Sequence, residues 1–259
     1  MLQDKTIIVT GAASGVGAAT ASLLALQGAN VISVDINPPT NPVGEFYQAD
    51  LSNKASIDQL LSALPSGIDG LANIAGLPPT KAAESVIAVN LVGLKYLTTG
   101  LIPKLSNGAS IVNIASLAGI GWPEAKNSID ASENLTFEVI PDFCKTYGVI
   151  GPRSYFFSKE ALIVWTMKNR WTWRDRGIRM NSVSPGPVDT PILKDFLETL
   201  GARAEEDMRI MDRPGTPTDI APVVAFLMTD GSAWIRGTNI PVDGGMYSHV
   251  QCQVHGYTT

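Results

Sequence analysis

The sequence predicts an α/β fold, a doubly wound parallel sheet of about seven strands flanked by helices, and three observations predict it. Short runs of β-branched and aliphatic residues, too uniformly apolar for strands with one wet face, recur along the chain. Stretches with apolar residues at helical spacing alternate with them, which implies βαβ units joined by right-handed crossovers. The first apolar run ends in a glycine-rich turn that opens a helix. A length of 259 residues suits one large α/β domain, and 45% hydrophobic against 17% charged residues excludes a disordered chain. With no internal repeat, low-complexity run or linker, residues 1–259 read as a single domain.

Taken in order, Thr6 to Thr10 is the first buried strand and Gly15 to Gln27 the first helix. Asn30 to Val34 and Phe46 to Ala49 are the next two strands, and Ser52 caps a helix carrying Ile57, Leu60, Leu61 and Leu64. Gly70 to Ala75 is strand four. A helix from about Ala83 to Leu105, broken near Gly93 or ended by Pro103, leads to strand five, Ser110 to Ala115. Pro123 to Pro152 is polar and poor in strand pattern, an insertion of about thirty residues that exceeds an ordinary connection. A long helix, Ser154 to Arg176, and strand six, Arg179 to Val183, follow. The chain then gives a loop from Pro185 to Pro191, two short helical pieces to about Met211, a helix from Thr218 to Met228 and a last strand from Asn239 to Val242.

Charge and composition exclude several functions. Nineteen basic against 24 acidic residues give a net charge of −5, without the basic stripe that binding to nucleic acid needs. The apolar start of the chain is too short for a secretory signal and no apolar run of 18 residues is evident, so a cytoplasmic protein with no membrane partner is expected. Cys144 and Cys252 lie far apart and read as inert thiols; His249 and His255 lie six apart in a polar tail, so no metal site is expected. Asn134 matches a glycosylation acceptor that such a protein would not use. The absence of GxxxxGK[ST] disfavours a nucleotide triphosphatase, and the absence of GxSxG disfavours a hydrolase.

Two groups of residues carry chemistry. Gly11, Gly15 and Gly17 follow the first strand, where backbone N–H groups and a helix N-terminus can approach a pyrophosphate. Asp35 ends the second strand, where a carboxylate accepts from ribose hydroxyls and repels a 2′-phosphate, favouring NAD over NADP. Tyr155 and Lys159 stand four apart near the start of the long helix, and of six tyrosines only Tyr155 has a lysine at that spacing. An ammonium close to the phenol would lower the tyrosine pKa by about one to three units, towards the range of a working acid or base.

Thr10-Gly11-x-x-x-Gly15-x-Gly17, Asp50, Asn73-Ile74-Ala75-Gly76, Asn90, Ser116, Tyr155-x-x-x-Lys159 and Pro185-Gly186 stand in the order seen in the short-chain dehydrogenase/reductase family, which the chain resembles from about Lys5 to Gly245. The resemblance implies a Rossmann-like domain with a catalytic set of Asn90, Ser116, Tyr155 and Lys159. Tyr155 would exchange the substrate proton, Ser116 would hold the reacting oxygen, Lys159 would bind the nicotinamide ribose, and Asn90 would hold a water. It implies cofactor contacts from Ser14, Val16, Ile36, Asp50, Leu51, Asn73, Ala75, Gly76, Pro185, Gly186, Val188 and Thr190, in addition to Gly11, Gly15, Gly17 and Asp35. Ile74 departs from the usual Asn-Asn-Ala-Gly, and the 39-residue step from Ser116 to Tyr155 places the insertion beside the active site.

The insertion is similar to that of 3α-hydroxysteroid dehydrogenase/carbonyl reductase members, and segments such as Lys159-Glu160-Ala161-Leu162-Ile163-Val164-Trp165 are similar to coniferyl-alcohol dehydrogenase-like members. Leu117, Trp122, Phe156, Pro187, Ile192, Leu193 and Phe196 are candidates for the substrate pocket, an apolar and aromatic set suited to an aryl or alicyclic alcohol. The alternative is that Ile192, Leu193, Phe196 and Leu197 form the core-facing stripe of a helix. The expectation is an NAD-dependent alcohol dehydrogenase, with a steroid dehydrogenase and a non-catalytic dinucleotide sensor as alternatives. A homodimer or homotetramer is implied by the resemblance, and Trp165, Trp171 and Trp173 offer apolar surface for core or interface.

Overall fold

The computed structural model describes residues 2–201, 206 and 208–257. Its seven strands are β1 (Thr6–Thr10), β2 (Asn30–Asp35), β3 (Glu45–Gln48), β4 (Ile68–Asn73), β5 (Leu105–Ile114), β6 (Arg179–Pro185) and β7 (Asn239–Val242). They pair in parallel in the order β3-β2-β1-β4-β5-β6-β7, as the uniformly apolar runs predict. The chain reverses its direction of winding between β1 and β4, and this opens a crevice at the strands' carboxyl ends.

The pleat divides each central strand between two helical layers. Ile7 and Val9 face a core with Ala21 and Leu24 of α1 (Gly15–Leu26) and Val224 and Leu227 of α8 (Pro217–Met228). Ile8 faces the opposite core with Ile57 and Leu60 of α2 (Lys54–Ala63) and Leu97 and Leu101 of α3 (Ala83–Lys104). Trp165 and Trp173 pack against this second core, and Trp171 is exposed.

Several elements depart from the sequence reading. α3 passes through a π turn at Ala88–Gly93, its α-helical part stops at Leu101 just before Pro103, and a 3₁₀ turn follows at Ile102–Lys104. Gly93 is required there, because a Cβ would stand 1.9 Å from the Leu51 carbonyl oxygen. By length and mean composition α3 is apolar enough to cross a membrane, though polar residues such as Asn90 and Lys95 interrupt it and 67% of its most apolar window is buried inside the protein. It is read as a core helix. The cap of α2 is Asn53, whose side chain accepts from Ser56 N at 3.2 Å, whereas Ser52 turns to Asp50.

The insertion is organised as α4 (Lys126–Ala131) and α5 (Ile140–Thr146). Ile140, Phe143 and Cys144 recur at helical spacing and form a third core with Ile129, Ile87, Leu91 and Phe157. Cys144 is buried there, and burial pushes its thiol up to about 11.

The long helix α6 spans Arg153–Lys168 and gives way to turns before a 3₁₀ turn at Arg174–Arg176. α7 (Leu193–Leu200) follows β6, and part of the second expected helical piece lies outside the described residues. The polar tail with His249 is the helix α9 (Met246–Val254), capped at His255 and held at its start by Asp243, which accepts from Tyr247 N at 2.7 Å. β7 forms one edge of the sheet, with Pro241 opposite Ser184.

Candidate active site

A cleft of about 770 Å³ lies over the carboxyl ends of the strands. At one end, Gly11 (φ +71°) and Gly15 (φ +52°) shape the turn from β1 into α1. A Cβ on Gly17 would stand 1.9 Å from the Gly11 carbonyl oxygen, and one on Gly11 would stand 2.8 Å from the backbone of Ala75. Side chains at these positions would fill the cradle. Ser14 makes no side-chain cap and the first turn holds no acid, so the N–H groups that open α1 are available to an anion. Ser14, Val16, Ile36, Asp50, Leu51, Ala75 and Gly76 border the same end.

Asp35 has two tasks. Its carboxylate accepts from Ala13 N at 3.0 Å and Asn37 N at 2.9 Å, fixing the glycine turn, and it also borders the cleft. An ionised carboxylate has about four acceptor positions, so further hydroxyl donors remain compatible with these bonds. Asn73 does not border the cleft: it is buried beneath it, donating to Thr98 Oγ1 and Asn113 Oδ1, each at 2.9 Å. Asn113 in turn donates to Thr166 on α6, so this network ties β4 and β5 to α3 and α6.

Those two helices position the central polar residues. Tyr155 and Lys159 project from α6, with Lys159 Nζ 5.5 Å from the Tyr155 ring centroid and donating to Ile114 O at 2.8 Å. Ser116, after β5, accepts from Ala118 N at 3.1 Å and borders the cleft beside them. Burial pushes the Tyr155 phenol up to about 12, opposed by its interaction with the Ser116 hydroxyl. The same burial pulls Lys159 down to about 8. The expected lowering of the tyrosine by the lysine is therefore absent from the protein alone, because desolvation disfavours both charges at once.

Asn90 lies in the π turn, buried and behind the cleft wall. It accepts from Leu77 N at 2.7 Å and donates to Leu77 O at 3.0 Å, so it clamps the loop that follows Gly76. A Cβ on Gly76 would stand 3.4 Å from Asn90 Oδ1 and 3.8 Å from Lys159 Nζ, so the chain passes close to both.

Beyond Tyr155 the lining becomes apolar. Leu117, Phe156, Pro187, Ile192, Leu193 and Phe196 all border it, and Phe196 meets the Tyr155 ring edge-on at 4.9 Å between centroids. Trp122 is a correction: it is 37% exposed and does not border the cleft, because the 3₁₀ turn at Leu117–Gly119 brings Ile120 and Gly121 inward instead. Pro185, Gly186, Val188 and Thr190 form the opposite rim, where Gly215 N donates to Pro187 O and Asp189 N to Gly215 O. Sequence reasoning missed Glu160 and Ile120 on the substrate side, and Met246 and Val250 on α9. The apolar spacing of Met246 and Val250, four apart, was the available signal for α9.

Comparison with known proteins agrees with this geometry. Residues 5–127 match the family profile described as short chain dehydrogenase, and residues 143–247 match the one described as Enoyl-(Acyl carrier protein) reductase. A coniferyl-alcohol dehydrogenase from Pseudomonas sp. is 43% identical over 260 residues, covering 95% of this chain and 98% of that one. The chain belongs to the short-chain dehydrogenase/reductase family. A 3-alpha-hydroxysteroid dehydrogenase/carbonyl reductase from Comamonas testosteroni is 31% identical over 249 residues, covering 93% of this chain and 95% of that one. A solved 3-alpha-hydroxysteroid dehydrogenase from Pseudomonas sp. B-0831, complexed with NADH, superposes with a TM-score of 0.81 at 28% identity, covering 98% of this chain and all of that one. As a short-chain dehydrogenase/reductase the protein is an oxidoreductase that binds a nicotinamide dinucleotide and acts on small molecules. The glycine cradle and the free N-terminus of α1 fit that group's pyrophosphate.

Proposed function

We propose that the protein is an NAD-dependent alcohol dehydrogenase that interconverts an apolar aryl alcohol and its carbonyl compound. The observation that carries this reading is the Tyr155–Lys159 pair at the junction of a glycine-cradled cleft and an apolar, aromatic one. In oxidation the Tyr155 phenolate takes the proton of the substrate hydroxyl and becomes the phenol, and in reduction the phenol gives that proton to the carbonyl oxygen and becomes the phenolate. The Ser116 hydroxyl holds the reacting oxygen. Lys159 is held by Ile114 O and contributes a cation beside the phenol when protonated, while Asn90 keeps the Leu77 loop in place. The nicotinamide dinucleotide, when bound, supplies the hydride acceptor or donor. Phe196 and its apolar neighbours exclude water and favour a ring without a phosphate or carboxylate.

Asp35 supports NAD over NADP, since its carboxylate repels a 2′-phosphate. Initial rates with NAD and NADP on coniferyl alcohol test both parts, and turnover of the aryl alcohol with NAD is the expected result. The relatives that act on 3α-hydroxysteroids favour a second reading, an alicyclic secondary alcohol. Turnover of a 3α-hydroxysteroid alone, assayed at equal concentration, would replace the first reading with it.

A further inference from the structure

Glu160 is the only buried carboxylate among the described residues, and the chemistry proposed above does not use it. It follows Lys159 on α6 and, four residues after Phe156, shares that residue's face of the helix. Its Oε2 accepts from Arg153 Nη2 at 2.6 Å, and its side chain is 7% exposed. Oε1 receives no hydrogen bond among the described residues, yet it is not one of the buried polar atoms cut off from solvent, so it opens onto the cleft that Glu160 borders. Gly121 faces it: a Cβ there would stand 3.1 Å from Oε1, and the missing side chain leaves that oxygen uncovered.

A carboxylate among Leu117, Ile120 and Phe156 is costly unless its lone pairs are used. Arg153 neutralises the charge and occupies one oxygen, so the free oxygen suits a neutral donor, while a ligand acid would be repelled. A hydroxyl acidified by an aromatic ring is the strongest neutral donor that fits an apolar wall. We propose that Glu160 Oε1 accepts a hydrogen bond from a phenolic hydroxyl of the substrate, remote from the carbon that is oxidised. The substrates are then hydroxyaryl alcohols, and the inference rests on the aryl-alcohol reading above.

The test compares kcat and KM for coniferyl alcohol, its 4-O-methyl ether and cinnamyl alcohol, which has no ring hydroxyl, in the wild type and in Glu160→Gln and Arg153→Gln. The wild type is expected to favour the phenol by about tenfold or more in kcat/KM, mostly through KM, because the bond forms away from the reacting centre. Arg153→Gln, which keeps the carboxylate, retains the preference, whereas Glu160→Gln brings it towards unity. Equal use of all three alcohols by the wild type, or a preference that survives in Glu160→Gln, would overturn the role of Glu160 and leave the aryl-alcohol reading standing. Silence on all three alcohols would overturn both.

Discussion

Lys159 is a cation by nature placed where cations are disfavoured, with one carbonyl oxygen as its hydrogen-bond partner among the described residues. Its amine titrates near 8 in the fold against about 10.4 in an unfolded chain, so the protonated form opposes folding. The sign follows from linkage: stability from this group is complete above about pH 10.4 and is lost as the pH falls through 8, a change of about 3 kcal/mol. Lys159→Met removes that slope. The stability of the variant relative to the wild type, from urea unfolding, is expected to be greater near pH 7 and to shrink towards about pH 9.5; a constant difference would contradict it. Tyr155→Phe is expected to lower kcat by at least about 10²-fold while dinucleotide affinity, read by fluorescence titration, stays within about twofold. Such single residues were the easiest part of the site to read, because Tyr155, Lys159, Ser116 and the glycines have fixed spacings. Glu160 was not legible: an acid on a helix usually marks a solvated face, and only the fold buries it beside Gly121.

At the level of elements, α3 makes the sharpest test. Its π turn and the bare Cα of Gly93 let the helix run against the loop after β3 while Asn90 reaches Leu77. Gly93→Ala would force Leu51 and the helix apart, and a loss of about 1–3 kcal/mol in thermal or urea unfolding is expected. Binding is expected to weaken as well, since Leu51 borders the cofactor end of the cleft. The strands were legible because burial on both faces leaves an unbroken apolar run, as in β1. β5 was read too short: Ser106, Asn107 and Gly108 interrupt the run, and only pairing between Leu105 and Ile68 carries the strand past a bulge. α4 and α5 were missed because each is under two turns and shows its apolar face only when packed.

Across the whole molecule, the insertion shares its core with α3 and α6, the helices that hold Asn90, Tyr155 and Lys159. Phe143 packs on Phe157 at 5.4 Å between centroids, and Lys95 donates to Ser132 O and Glu133 O at the end of α4. Phe143→Ala is expected to cost about 3–5 kcal/mol. Far-UV circular dichroism and tryptophan fluorescence should still report one coincident transition; an early, separate loss of helix would show that the insertion folds as its own unit.

Pro241 on β7 bears on a hazard of a different kind. Ser182 N donates to Thr238 O and Gly186 N to Val242 O, so alternate residues of β7 address β6 and Pro241 turns its backbone outward. An outward N–H is thereby missing from a strand of only four residues. A stray extended chain that docked there would find its ladder broken midway, which guards this edge against the strand-by-strand growth that leads to amyloid.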